Sequence, residues 1–156
     1  MVHFINIGAG ASVNAPVYES DGITKCSGSQ FMAELMAGPS ADSLATIAMT
    51  GFLTGTGAGY FDGGTPAIPT VFYGSLAWIQ IDVWNTASGS SFAQAKASGL
   101  PNSWWQSGVF TAWTSSPFVT PSPPGEMLGL GTSPVYLNSG PEPSALALVG
   151  CGLVVG

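Results

Sequence analysis

Few residues in this chain could carry out chemistry. His3 is the sole histidine. It sits near the terminus inside the apolar run VHFINI, so neither a Ser-His-Asp nor a Cys-His arrangement has a base placed to take a proton. Of the eight carboxylates, Asp62 and Asp82 are the candidates for a glycosidase pair, in which one carboxyl donates a proton and the other attacks or activates water. An acid in a DGG turn and another on the outer face of a strand read instead as solvated charges. The glycine clusters fail as phosphate loops. GAGASV at 8–13 puts Val13 where a dinucleotide-binding turn needs glycine, and GTGAG at 55–59 lacks both a flanking helix and a lysine. Cys26 and Cys151, the only cysteines, have no CxxC or Cys/His spacing for zinc. Calcium would find only Asp62 near backbone carbonyls. The chain therefore reads as a non-enzyme with no cofactor and no metal. Cys26 and Cys151 remain a candidate disulfide, with burial as two small apolar thiols as the alternative.

Five tryptophans offer a different chemistry, because flat sugar faces stack on exposed indoles. Trp78 and Trp84 share a strand face with Gln80 and Asp82. Trp104 and Trp105 stand beside Asn102, Ser103 and Gln106. These four are the candidate glycan-stacking residues, with packing in a core or subunit interface as the bland alternative. No Asn-x-Ser/Thr sequon occurs, since Asn85-Thr86-Ala87 and Asn138-Ser139-Gly140 both miss the third position. A glycan carried by the chain itself would be O-linked, on Thr114, Ser115, Ser116, Thr120 or Ser122.

The scaffold that must position these residues is constrained by composition. At 156 residues the chain is one domain in size. Charged residues are 6%, against about 25% in an average protein. Two lysines, no arginine and eight carboxylates give a net charge of −6, so no basic stripe exists for nucleic acid or for an anionic membrane surface. Hydrophobic residues at 46% and aromatic residues at 11% supply a core and exclude disorder. Solubility then rests on hydroxyls, amides and backbone, as suits a secreted, glycosylated or assembled protein.

Short β-branched, aromatic and aliphatic runs separated by Gly, Pro, Ser, Thr and Asn predict an all-β fold. The expectation is a single β-sandwich, jelly-roll or immunoglobulin-like. Strands are expected at 2–7, 15–18, 30–37, 45–53, 58–61, 76–84, 104–113 and within 126–137. In 30–37, Phe31, Ala33, Leu35 and Ala37 share one side. In 76–84, Ala77, Ile79, Ile81 and Val83 form the core face. One short helix is expected over 91–98, closed by Gly99-Leu100-Pro101. The proline-rich stretch at 117–124 reads as a loop or spacer. The N-terminus has no basic n-region and no long apolar h-region, which reads as a secretory leader already removed.

The last sixteen residues are PEPSALALVGCGLVVG, a Pro-Glu-Pro triplet at 141–143 followed by a small, apolar run. This resembles the PEP-CTERM sorting signal of exported bacterial proteins, which an exosortase-type membrane peptidase processes. The body segments NAPVYESDGITK, FMAELMAGPS and GFLTGTGAGYFDGG resemble uncharacterised PEP-CTERM proteins of the Verrucomicrobia type. The family's basic end is missing, because the sequence stops at Gly156 without a cluster of Arg or Lys. The resemblance implies export to the cell surface or extracellular matrix, frequent glycosylation, an exosortase-type processing partner and only transient membrane contact through the tail. It implies no chemistry.

Residues 144–156 are too short for a transmembrane helix, which needs roughly 20 apolar residues. As a strand they would reach about 40 Å at ~3.3 Å per residue. Ala145, Ala147, Val149, Cys151, Leu153 and Val155 would then face one side and Leu146, Leu148 and Val154 the other, so both faces are apolar. The organisation expected is a sandwich at 1–137, a Pro-Glu-Pro linker at 138–143 and this apolar strand at 144–156. The strand either completes its own sandwich or is donated to the next subunit, and head-to-tail donation gives a filament. The leading expectation is a secreted structural protein, a homopolymer subunit of an extracellular fibre or matrix. The alternative is a surface-anchored glycan-binding module.

Overall fold

A computed structural model describes residues 1–119 and 123–140, and its content is mostly β. In chain order the elements are β1 (Ile7–Gly8), β2 (Val13–Asn14), β3 (Val17–Tyr18), β4 (Phe31–Gly38), β5 (Ala45–Gly51), β6 (Leu76–Asn85), α1 (Phe92–Ala97), β7 (Trp104–Gln106), β8 (Phe110–Trp113) and β9 (Val135–Tyr136). The main sheet is antiparallel and five-stranded, ordered β5-β4-β6, with β7 and β8 following one another along the far edge of β6.

The period-two patterns of β4 and β6 create the core. Their pairing is unbroken from Phe31 opposite Asn85 to Gly38 opposite Trp78, so the apolar sides of both strands fall on one face. Ala77, Ile79, Ile81 and Val83 are fully buried there with Phe31, Ala33, Leu35 and Ala37. Val2, Phe4, Val17, Cys26, Phe52, Phe61, Ile68, Met127 and Leu137 cover that face. Phe61 is the hub of this cover, with ring centroids 5.1 Å from Phe4 and 5.5 Å from Phe52.

The covering layer departs from the strands expected at 2–7 and 58–61. The first reduces to isolated bridges, Val2 with Gly125 and Ile5 with Asp62, plus the two-residue β1. The second reduces to the Phe52–Phe61 and Ile5–Asp62 bridges. Two-stranded pairs, antiparallel β1–β2 and parallel β3–β9, and an antiparallel Tyr18–Lys25 bridge add to the pairing in this layer. Backbone bonds between irregular segments, among them Phe4 N–H to Gly64 O, Gly63 N–H to Phe4 O and Val17 N–H to Gly59 O, hold this layer together, and a buried side chain adds to them. Buried Asn6 donates to the carbonyls of Ala15 (2.8 Å) and Gly59 (3.0 Å) and accepts from Phe61 N–H (2.8 Å), joining three segments through one amide.

Asn138 plays the same part at the sheet edge. Its Oδ1 accepts from Ser103 N–H, Trp104 N–H and Ser103 Oγ, its Nδ2 donates to Leu100 O, and its backbone bonds Trp104 and Asn102. The folded body therefore extends to Asn138, which the expected boundaries assign to the linker. The apolar strand at 144–156, with Ala145, Leu146, Ala147, Leu148, Val149, Cys151, Leu153, Val154 and Val155, lies outside the described residues.

The single strand expected over 104–113 is broken. Gln106 pairs Asp82 and Phe110 pairs Ile79, so four steps on one side answer three on the other. One extra residue in the Ser107–Val109 connection acts as a bulge and reverses which side chains face the core. Ser107 anchors it, its Oγ accepting from Ile81 N–H at 2.8 Å. The helix forms as expected. Ser91 Oγ caps it by accepting from Gln94 N–H (3.3 Å), Gln94 Oε1 accepts in return from Ser90 N–H (2.9 Å), and Gly99 closes it at φ 67°.

Candidate functional site

The outer face of the sheet, opposite the core, gathers most of the side chains with recognition chemistry. Register places Met32, Glu34 and Met36 of β4 beside Trp84, Asp82 and Gln80 of β6, with Trp104 and Gln106 beyond them on β7. Its two ends differ. At one end α1 lays Phe92 and Ala95 over Trp84, with Met32 and Trp104 packed against them. The other end has no such cover among the described residues. Trp78 is 37% exposed and Trp113 is 63% exposed. Trp113 pairs with Leu76, two residues before Trp78, so the indoles are diagonal neighbours with Cα atoms about 7–8 Å apart.

The four tryptophans named from the sequence therefore separate. Trp78 is on the open platform. Trp84 is 2% exposed beneath α1, and its indole Nε1 has no hydrogen-bond partner among the described residues. Trp105 turns to the opposite face and packs against the main core. Trp104 is half-buried, edge-on to Phe92 at 5.9 Å, with Lys96 Nζ 4.6 Å from its ring centre. Parity of a strand that a helix covers at one end accounts for these placements. Trp113, the most exposed indole of the platform, is absent from the candidates that strand pattern suggests. Unbroken alternation from Trp104 puts residue 113 inside, and the bulge at 107–109 turns it out.

Asp82 is a correction to the solvated reading, since it is 4% exposed. Gln80 Nε2 and Gln106 Nε2 donate to its Oδ1 at 2.9 and 3.0 Å. Burial, reinforced by Glu34 on the paired strand, pushes its carboxyl above the ordinary range against the pull of the two amides and Lys96. Glu34, directly opposite, accepts a hydrogen bond from Thr46 Oγ1. Asp62 belongs to the other side of the molecule. It bridges Ile5 in the covering layer, and its Oδ1 accepts from Gly64 N–H at 2.9 Å. The sheet separates Asp62 from Asp82, and the glycosidase pair read from the sequence is not brought together.

The platform continues past Trp113 into the loops at its end. Thr114 Oγ1 donates to Phe72 O (2.9 Å), where Phe72 and Phe118 are strongly exposed and Tyr73 meets Phe118 edge-on at 5.9 Å. Thr114 is itself buried with its hydroxyl bonded, which removes it from the O-glycosylation candidates. Ser115 and Ser116 are half-buried, the former with its Oγ on Met1 O and the latter accepting from Phe118 N–H. Thr120 and Ser122 lie outside the described residues.

The remaining candidates lie away from this face or outside the described residues. Cys26 has no disulfide partner among the described residues and is 0% exposed, and burial pushes its pKa up to about 12. Cys151, its candidate disulfide partner, lies outside the described residues. His3 lines a recess of about 10 Å³ with Glu126 and Met127, room for about one water. Both lysines of the chain lie over aromatic rings, Lys25 over Tyr18 and Tyr60, Lys96 over Phe92 and Trp104. No family model, curated protein or solved structure matches this chain.

Proposed function

We propose that this is an exported, non-enzymatic protein of the cell surface or extracellular matrix whose outer sheet face binds polysaccharide. The observation that carries the reading is the pair Trp78 and Trp113, both exposed and diagonal neighbours on one sheet face, with Gln80 and Thr111 beside them and Glu34 further along. Two apolar ring surfaces at that spacing suit successive rings of an extended glycan, while amides and carboxylates take its hydroxyls. Export rests on the resemblance of the tail to a PEP-CTERM signal, with an exosortase-type enzyme as processing partner. Titrating the protein with a panel of soluble polysaccharides while following tryptophan fluorescence tests the reading. Binding that Trp78→Ala and Trp113→Ala each abolish, without a change in unfolding midpoint, supports it. A wild-type protein silent across neutral, amino and acidic glycans removes it.

A second reading is a fibre subunit joined by strand donation, with the tail completing a β-sandwich in its neighbour. It is favoured by β5, which has only β4 as a partner among the described residues and so offers an open backbone edge. Edge addition, rather than filling of a groove, is the form this docking takes, because the recess between the layers at Phe61 and Ile81 holds only about 10 Å³. Deleting 144–156 and imaging the product tests it. Fibres formed by the full chain and lost on deletion support donation, and monodisperse full-length monomers refute it.

A further inference from the structure

The charges around the platform go further and select among glycans. The face has one half-buried carboxylate, Glu34, directly opposite the buried Asp82 on the paired strand. Thr46 donates to Glu34 Oε1, and no donor reaches Oε2 among the described residues. Neither lysine stands beside Trp78 or Trp113, and the Met1 ammonium is engaged on the Ser115 carbonyl at 2.6 Å. Lys96 is held at the covered end between Trp104 and Gln106, and Lys25 is held on Tyr18 and Tyr60 in the covering layer. The whole chain is at −6, so a uronate or sulfated polymer meets repulsion from near and far.

An ammonium group meets the opposite. It gains a carboxylate with a spare oxygen and two indole faces, whose quadrupoles attract cations. We infer that the ligand class of this platform is a polysaccharide of amino sugars carrying free amines, with Trp78 and Trp113 stacking its rings and Glu34 pairing an amine further along the chain. The inference rests on the glycan-binding reading above and narrows it. An exposed ion pair contributes up to about 1 kcal/mol, so each engaged amine should be worth up to about fivefold in affinity.

The test is calorimetric titration, at a pH where the amines are charged, with glucosamine oligomers of one length in free-amine and N-acetylated forms, a neutral glucose oligomer and a uronate oligomer. The expected result is tightest binding of the free-amine oligomer, weaker binding of the two neutral ones and none of the uronate. Glu34→Gln, which keeps an acceptor for Thr46, should erase the advantage of the free-amine over the acetylated oligomer. Equal affinity for free-amine and acetylated oligomers, or an advantage that survives Glu34→Gln, overturns the amino-sugar assignment while leaving glycan binding standing. Silence with every oligomer overturns both.

Discussion

Gly125 offers a quantitative test of how the N-terminal segment holds the end of β8. A Cβ at position 125 would lie 1.5 Å from the Trp113 carbonyl oxygen and 2.8 Å from its carbonyl carbon, where real Cβ contacts stop near 3.0 Å. Both obstacles are backbone, so no rotamer change relieves them, and the two chain segments must separate by about 1.5 Å. The Gly125 segment is tied down by His3 N–H to Gly125 O (2.8 Å) and Gly125 N–H to Met1 O (3.3 Å). Sacrificing both at about 0.5–1.5 kcal/mol each puts the cost of Gly125→Ala at about 1–3 kcal/mol. Gly108→Ala is the control. It sits in the neighbouring bulge, where an added methyl would meet nothing within 4 Å, and it should change stability by no more than about 0.5 kcal/mol. Urea unfolding followed by tryptophan fluorescence reads the difference as a midpoint shift of about 1 M. A Gly125→Ala protein that unfolds with the wild type, or a Gly108→Ala protein that falls as far, refutes the reasoning. Because the clash is with Trp113 itself, Gly125→Ala should also weaken glycan binding from a position outside the platform.

Ile81→Ala, at a fully buried position on β6, should cost about 2–5 kcal/mol in the same urea assay. Asp82, whose carboxyl burial pushes upward, binds its proton more readily folded than unfolded. Its contribution therefore makes stability fall as pH rises from the ordinary carboxylate range through the raised value. Asp82→Asn keeps an acceptor for Gln80 and Gln106, so its stability advantage over wild type should grow over that interval and then level off. Cys26, buried with its pKa pushed up to about 12, should resist a thiol reagent at mildly alkaline pH in the native protein and react on unfolding. Ser91→Ala removes the α1 cap and should cost about 1 kcal/mol; a red-shifted emission from Trp84 would report the loosened helix.

Much of the sheet is legible in the sequence because β4 and β6 alternate without interruption, and alternation needs only a sheet face on which to act. The helix is legible from Ser91 and from Gly99-Leu100-Pro101 for equally local reasons. The covering layer is not, because its segments are joined by scattered backbone bonds and by the side chain of Asn6 to partners far away in sequence, and no periodicity encodes them. The platform is half legible. Trp78 follows from parity, but Trp113 depends on a one-residue bulge, and a bulge inverts every inference drawn downstream of it. Asp82 escapes the pattern because strand parity tells which face a side chain takes and nothing about what lies over that face. Asp82 is 4% exposed, with the Gln80 and Gln106 amides on its carboxylate.

The way the backbone is fastened at Asn138 bears on mechanics. The final described strand, β9, runs parallel to β3, with Val135 N–H on Pro16 O and Leu137 N–H on Tyr18 O. Asn138 then fastens the backbone to 100–104 at the edge of β6. A tether pulling on the chain beyond this point would load the β3–β9 bonds together in shear instead of peeling them apart one by one. The Asn138 amide would pass the remaining tension to β7 and, through it, to the centre of the sheet. The body is thus fastened so that a pull on the chain beyond Asn138 is spread over several bonds at once.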